Sequence, residues 1–186
     1  LFPYTPLFRS TGVPPDAMWR RMLAGGPIRL QNERSERTVG TAFGSDAPEI
    51  VLSCLDATAA SELVYRRRVI YRSEQPYTIA TSWFLPALLD QQRDVTSRLL
   101  DDSAIPEGTP AYIARQLGRD LTGHHHVVGI VRADAQSAQD LQVDEGAPLL
   151  RIVDTIEVDG GWPIEVGTYC YPESPVIVTS EGSATF

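Results

Sequence analysis

Apolar and polar positions alternate along two long stretches of the chain, and each stretch reverses direction at a turn. The predicted strands are residues 64–72, 76–85, 148–158 and 162–171. Alternation with a period of two is typical of strands that bury one face. The sequence Asp159-Gly160-Gly161 between the last two strands is a strong hairpin signal. The pattern therefore predicts two long β-hairpins.

Helical spacing of apolar residues occurs beside and between the hairpins. The predicted helices are residues 16–23, 56–63, 86–100, 111–117 and 134–141, and single strands are predicted at 124–132 and 176–179. Gly118 is suited to closing the fourth helix and Asp134 to capping the fifth. Strands joined by short turns pair antiparallel. These elements predict an α+β fold, an antiparallel sheet with helices on one side, rather than a doubly wound parallel sheet.

Composition divides the chain into three parts. Proline and glycine repeatedly interrupt residues 1–47, which are predicted to be a linker or poorly ordered head. Residues 1–10 also match, with one mismatch, the translation of a common sequencing adapter, and they are left out of the fold prediction. Residues 48–180 are predicted to form one folded domain, and residues 181–186 a tail.

Charge, hydropathy and cysteine spacing exclude several classes of protein. Apolar residues make up 42% of the 186, yet no apolar run is long enough to cross a membrane and no signal peptide is recognisable. We therefore expect a cytoplasmic protein. The net charge is −8, and residues 1–40 hold six arginines against three acids, so the rest of the chain is too acidic to bind nucleic acid unaided. Cys54 and Cys170 match no metal or redox spacing.

Three consecutive arginines lie in the first strand of the first hairpin. Because side chains alternate along a strand, Arg66 and Arg68 share one face and Arg67 takes the other. An arginine on a face that packs inward needs an anionic partner. That partner is either a carboxylate of the protein or a ligand.

Four segments, each weak alone, occur in a characteristic order and spacing. They are Arg66–Val69 with Pro76 following, Thr81–Pro86, Ala138–Ile152 and Asp159–Val166. Taken together, they make residues 60–178 resemble the UTRA domain. This domain is the C-terminal, effector-binding half of GntR-type bacterial regulators of the HutC subfamily.

The resemblance implies a chorismate-lyase-like fold, a small-molecule pocket between sheet and helices, and a homodimer. In such regulators an N-terminal winged helix binds operator DNA, and the effector changes the spacing of the paired DNA-binding heads. Residues 1–47 are too short and too broken for a winged helix, so we expect operator DNA to be a partner only through that missing domain. The resemblance implies no cofactor and no membrane partner.

Two arginines are ligand candidates. Arg68 matches the first arginine of the family's Arg-x-Arg strand pair, which often holds an anionic group of the effector. Ile70 stands where the second arginine would be, which argues against a sugar phosphate. Arg66 shares the face of Arg68 and is the second candidate, since guanidinium binds carboxylate or phosphate bidentately. The alternative for both is a structural salt bridge.

Further candidates follow from the same match. Glu165 matches the acidic residue of the family's Pro-x-Glu strand, with an internal arginine pair as the alternative. Tyr171 matches a ligand-facing aromatic residue, Tyr169 shares its face, and core packing is the alternative for a tyrosine. Ser82 and Thr109 are pocket-rim hydroxyls, whose alternatives are a surface hydroxyl and a cap or turn residue.

His124 lies near the position where sugar-phosphate-binding relatives carry a further anion-binding arginine, so it is a candidate for effector contact. His124 and His126 face together in a strand and would be an acceptable metal pair. Zinc requires three or four ligands, and the missing ones would have to be Glu or Asp from elsewhere in the chain. A metal site is therefore not predicted.

The predicted function is effector sensing and dimerisation in a GntR/HutC-type transcriptional regulator. One alternative is a chorismate-lyase-like enzyme, because Arg68 and Glu165 would allow it. Another is a dimerisation module with a degenerate pocket. The sequence contains no Ser-His-Asp, Cys-His, phosphate-loop or zinc-ligand spacing, so the protein is predicted not to be an enzyme.

Overall fold

One antiparallel sheet organises the part of the chain that the computed structural model describes, which is residues 33–72, 74–89 and 93–172. The strands are β1 (Glu33–Phe43), β2 (Glu62–Arg72), β3 (Gln75–Phe84), β4 (Leu121–Arg132), β5 (Pro148–Val158) and β6 (Trp162–Pro172). The helices are α1 (Glu49–Leu55), α2 (Pro86–Leu89), α3 (Arg93–Leu100), α4 (Thr109–Leu117) and α5 (Ala135–Leu141), and a 3-10 turn spans Gly44–Asp46.

The strand order is β1-β2-β3-β6-β5-β4, and every neighbouring pair is antiparallel. Both predicted hairpins are confirmed, as β2–β3 and β5–β6. Gly160 and Gly161 turn the second hairpin with φ of 89° and 72°, a backbone region that favours glycine. The hairpins join through β3 and β6, where Ser82 lies opposite Gly167. The α+β antiparallel fold is therefore confirmed.

The described structure differs from two local predictions. Part of the predicted head, Glu33–Phe43, is the edge strand β1, whose mostly polar residues gave little apolar alternation to recognise. The helix predicted at 56–63 is wrong. The helix is α1, which buries Val51 and Leu55 one turn apart and ends at Asp56 with a left-handed φ of 51°. The predictions for residues 1–32 and 173–186, which include helix 16–23 and strand 176–179, lie outside the described residues.

Helices cover both faces of the sheet, so the prediction that they lie on one side is wrong. We call the face that carries Arg66 and Arg68 the front face, and the other the back face. On the back face α1 and α5 pack against apolar side chains that include Leu63, Val69, Ile79, Trp83, Leu149 and Val166. Arg67 points to this face and pairs with Asp140 of α5, as alternation predicts. Both faces are covered because the strands bury apolar residues at odd and even positions alike.

On the front face the helices cover only one end. Apolar residues of α2–α4 pack against this end of the sheet, which we call the covered half. The helical residues include Leu89, Val95, Leu99 and Ile113, and the strand residues beneath them include Val64, Phe84, Ile156 and Val158. The open half carries Arg68, Ile152, Tyr169 and Tyr171, which are only half-buried. Among the described residues, no helix is long and apolar enough to span a membrane.

Candidate functional site

The front face brings the predicted site residues together. Arg66 and Arg68 come from β2, Ser82 from β3, His124 from β4, and Glu165, Tyr169 and Tyr171 from β6, while Thr109 begins α4. The strand register aligns them in rows. Ala80 on β3 pairs with Arg68 on β2 and with Tyr169 on β6. Arg68 and Tyr169 are therefore two strand spacings apart, about 10 Å. Strand pairing therefore places Arg66, Arg68, Ser82, Glu165 and the two tyrosines on the neighbouring strands β2, β3 and β6, whereas His124 lies on β4, four strands from β2.

Glu165 is a buried carboxyl with one oxygen left unbonded. Only 3% of the residue is exposed, and Ser82 Oγ donates a hydrogen bond to its Oε1 at 2.6 Å. Its Oε2 has no hydrogen-bond partner among the described residues. Burial raises the pKa of Glu165, and the hydroxyls of Ser82 and Thr109 and the charge of Arg68 only partly oppose that rise. Glu165 can therefore carry a proton and either donate or accept a hydrogen bond.

Arg68 is a half-buried cation that forms no hydrogen bond or ion pair with any described residue. The salt bridge that the sequence left open as an alternative is thus absent from residues 33–72, 74–89 and 93–172. Directly opposite Arg68 on β1 lies Arg37, a second guanidinium. Two cations side by side favour an anion between them or above them.

Arg66 has a different environment, although it is only two residues away. It is 7% exposed, and its Nη1 donates to the carbonyl of Leu99 at 2.7 Å while its Nη2 donates to that of Ser103 at 2.8 Å. Burial, with smaller contributions from Arg37, Arg98 and Arg68, lowers the pKa of Arg66 to about 10. It stays protonated at neutral pH and holds the C-terminal end of α3 against the sheet.

Two tyrosines form the floor of the open half. The ring of Tyr169 lies over Gly167, where a Cβ would come within 3.0 Å of its Oη and Cε2. Burial raises the pKa of the Tyr169 hydroxyl, and the nearby carboxyls of Asp154 and Glu165 raise it further. Tyr171 packs edge-to-face on Tyr77 at 5.6 Å, and burial raises its pKa to about 12. Both hydroxyls are therefore hydrogen-bond donors at neutral pH.

His124 faces an acidic residue that the sequence did not single out. Its Nε2 lies 3.4 Å from Oδ1 of Asp154, which is 6% exposed. His126 lies directly opposite Asp154 in the β4–β5 ladder. Asp154 is the polar exception among the apolar front-face positions of β5, Leu150, Ile152 and Ile156, which was a usable signal. Only the pairing of β4 with β5 reveals its two histidine neighbours.

Arg37 was also missed as a site residue, because residues 1–47 were assigned to the head. Its Nη1 donates to the carbonyl of Asp102, in the same loop after α3 that Arg66 holds. A separate surface depression, lined by Ser61, Glu62 and residues 85–87, includes none of the predicted residues. The candidate site is therefore the open half of the front face and its border with α4.

The front face thus carries arginine and carboxyl side chains and is partly covered by helices. The chain matches the family model of the UTRA domain over residues 45–175, and it belongs to the UTRA domain family. UTRA domains are the effector-binding domains of GntR-type transcriptional regulators and are regulatory rather than catalytic. A search of curated proteins gave no match.

Solved structures share the fold. A GntR-family transcriptional regulator from Bacillus cereus superposes with a TM-score of 0.64 at 14% identity, over 81% of this chain and 98% of that one. The C-terminal domain of the histidine utilization repressor from Pseudomonas syringae gives 0.60 at 18%, over 81% and 99%. The ligand-binding domain of a candidate GntR-family regulator from Bordetella bronchiseptica gives 0.57 at 22%, over 80% and 89%. The predicted family and fold are confirmed.

Proposed function

We propose that the open half of the front face binds a small anionic or polar metabolite. Binding there would control the affinity of an N-terminal winged-helix domain for operator DNA in a bacterial GntR/HutC-type regulator. The observation that carries this proposal is Arg68, a half-buried guanidinium with no hydrogen bond or salt bridge to any described residue. It shares its face with Glu165, a buried carboxyl with an unbonded oxygen.

Each residue has a separate role in this proposal. Arg68 binds a carboxylate or phosphate group of the effector. Glu165, Ser82 and Thr109 bind hydroxyl or amine groups at the border with α4, and the hydroxyls of Tyr169 and Tyr171 donate from the floor. His124 was also a ligand candidate, but it lies on β4, four strands from Arg68 on β2, so it is not assigned a contact with the same small ligand. Arg66 was also a ligand candidate, but its donors are engaged by backbone carbonyls, which supports a role in positioning the loop after α3.

The effector acts as a switch only if it binds the DNA-released conformation more tightly than the DNA-bound one. A homodimer would couple two such domains. The edge strand β4 supports this, because Val127, Val128 and Ile130 are 54%, 45% and 69% exposed on it. Within residues 33–72, 74–89 and 93–172, β4 pairs with β5 alone. A strand edge without a neighbour and with exposed apolar side chains favours pairing with a second chain. The histidine utilization repressor among the structural relatives supports the HutC subfamily. A cytoplasmic location follows from the proposed action on DNA.

A thermal-shift screen tests the proposal with metabolite carboxylates, sugar phosphates and amino acids as probes. A ligand that binds only the folded state raises the melting temperature. We expect at least one anionic probe to do so for the wild type and not for Arg68→Ala. Arg115→Ala is the matched control, since Arg115 is exposed and pairs with Glu107 away from the site.

The same screen separates the alternative functions. A degenerate dimerisation module would show no shift with any probe. A chorismate-lyase-like enzyme would consume chorismate, which a turnover assay on the same preparation detects. An equal shift in the wild type and in Arg68→Ala would contradict the role given to Arg68.

A further inference from the structure

We propose that His124, His126 and Asp154 form a binding site for one divalent transition-metal ion, with Zn²⁺ as the best chemical match. The site lies on the front face at the β4–β5 edge. It goes beyond effector sensing, and it does not depend on the identity of any effector.

The strand register builds this cluster. His126 lies opposite Asp154, and His124 lies two residues earlier on β4, opposite Ile156. The two histidines therefore share the face of Asp154, and their rings stand 5.7 Å apart with a tilt of 36° between their planes. The ligand-type atoms of all three residues lie within 4.8 Å of one another.

These separations suit a common ion. Zinc binds imidazole nitrogen and carboxylate oxygen at about 2.0–2.2 Å, so tetrahedral ligands stand roughly 3.3–3.5 Å apart. His124 Nε2 and Asp154 Oδ1 already stand 3.4 Å apart. His126 is exposed, so its side chain can turn toward the ion without disturbing the core.

The chemistry of the residues also favours a cation. Two imidazoles with one carboxylate are a ligand set of zinc and of other transition metals, whereas Mg²⁺ and Ca²⁺ prefer oxygen ligands alone. Asp154 is a buried carboxylate, and burying a charge is costly unless a partner compensates it. Its ion-pair partner among the described residues is His124, an imidazole that is cationic only when protonated. A bound divalent ion would supply that compensation permanently.

Three protein ligands leave a fourth position open to water or to a donor group of another molecule. That position lies on the same face as Tyr169, whose hydroxyl is close enough to Asp154 for the carboxyl to affect its pKa. An ion here would therefore add a positive charge to the β4 side of the front face, whereas Arg68 lies on β2.

His125 provides an internal control. It is the same residue type on the same strand, but alternation turns it to the back face, where its Nε2 lies 3.7 Å from Oε2 of Glu157. Substituting His125 removes one imidazole from the local sequence without touching the proposed ligand set.

The test is isothermal titration of tag-free protein with ZnCl₂, with MgCl₂ as the hard-ion control. We expect one Zn²⁺ per chain, no comparable binding of Mg²⁺, and a loss of at least tenfold in Zn²⁺ affinity for His126→Ala. His125→Ala should bind like the wild type. Asp154→Asn should also lose affinity, but His126→Ala is the decisive variant, because its exposed position spares the fold.

Two outcomes would overturn the proposal. One is the absence of stoichiometric Zn²⁺ binding to folded wild-type protein. The other is a loss of affinity that is equal in His125→Ala and His126→Ala, which would indicate adventitious binding by the histidine run. Because no effector is present in the titration, either result leaves the proposal for Arg68 unaffected.

Discussion

The covered and open halves of the front face are built from the same strands but differ in what packs on them. In the covered half, Arg66 is buried and its guanidinium is bonded to carbonyls at the end of α3. In the open half, Arg68 is half-buried and has no bonded partner among residues 33–72, 74–89 and 93–172. Two identical side chains, two positions apart on one strand, thus differ only in what lies above them. The contrast shows that local sequence places a residue on a face, while the covering helices decide whether its side chain is bonded within the protein.

The largest loss of stability is expected from a substitution in the covered half. Phe84→Ala removes a fully buried ring packed beneath α2–α4 and should lower the free energy of unfolding by about 3–5 kcal/mol. Urea denaturation measures the loss. Gln139→Ala, at an exposed position of α5, is the control and should cost less than about 0.5 kcal/mol. Equal losses would contradict the tight packing of Phe84 beneath α2–α4.

The next largest loss of stability is expected from a substitution of Arg66. Arg66→Ala removes the donor to the carbonyls of Leu99 and Ser103 and should cost about 2–3 kcal/mol, because hydrogen bonds from charged groups are among the stronger ones. The same denaturation experiment measures it. Hydrogen exchange of the amides in residues 99–103 should also accelerate. Surface substitutions usually change the free energy of unfolding by no more than about 0.5 kcal/mol. A change that small in Arg66→Ala would mean that Arg66 does not hold this loop.

A smaller, pH-dependent effect is expected at Glu165. Its pKa is raised by burial, so the folded state binds this proton more tightly than the unfolded state does. The stability of the wild type therefore falls as pH rises above the ordinary glutamate pKa and toward the raised one. Glu165→Gln lacks that titration, so the melting temperature of the variant should rise relative to that of the wild type as the pH increases above the ordinary glutamate pKa.

The control for this series is Glu62→Gln, since Glu62 is exposed at the start of β2. Its melting profile should run parallel to that of the wild type. A wild type and a Glu165→Gln variant with parallel profiles would contradict the buried, proton-retaining state of Glu165.

The smallest effect on stability is expected at Arg68. Arg68→Ala removes a side chain with no bonded partner in the described structure, so unfolding should change by less than about 0.5 kcal/mol. Relief from the neighbouring charge of Arg37 could even make the variant slightly more stable. Urea denaturation beside Arg66→Ala gives the direct comparison. A loss as large as that at Arg66 would show that Arg68 is a structural residue.

Local signals sufficed for most of the elements. The turn glycines at 160 and 161 and the alternation of their flanks predicted β5–β6, and Asp134 caps α5 by accepting a hydrogen bond from the amide of Ser137 at 2.7 Å. Helix 56–63 failed because its small residues have helical propensity but no apolar face, while Val51 and Leu55 do form one. The arginines, glutamate and tyrosines of the candidate site were identified from alternation along the strands and from motifs that are local in sequence, and their role in binding stays a prediction.

The amino-acid order thus determined the hairpins, the caps, the division of Arg66–Arg68 between two faces and the UTRA family. Strand pairing alone decided that β1 completes the sheet and that Asp154 lies beside His124 and His126. Helix docking alone decided that Arg66 is bonded to backbone carbonyls while Arg68 is not. The physical reason is the sequence separation over which each kind of interaction acts. Turns, caps and alternation depend on neighbours within a few residues, whereas register between distant strands and the cover over a side chain depend on contacts made only when the whole sheet packs.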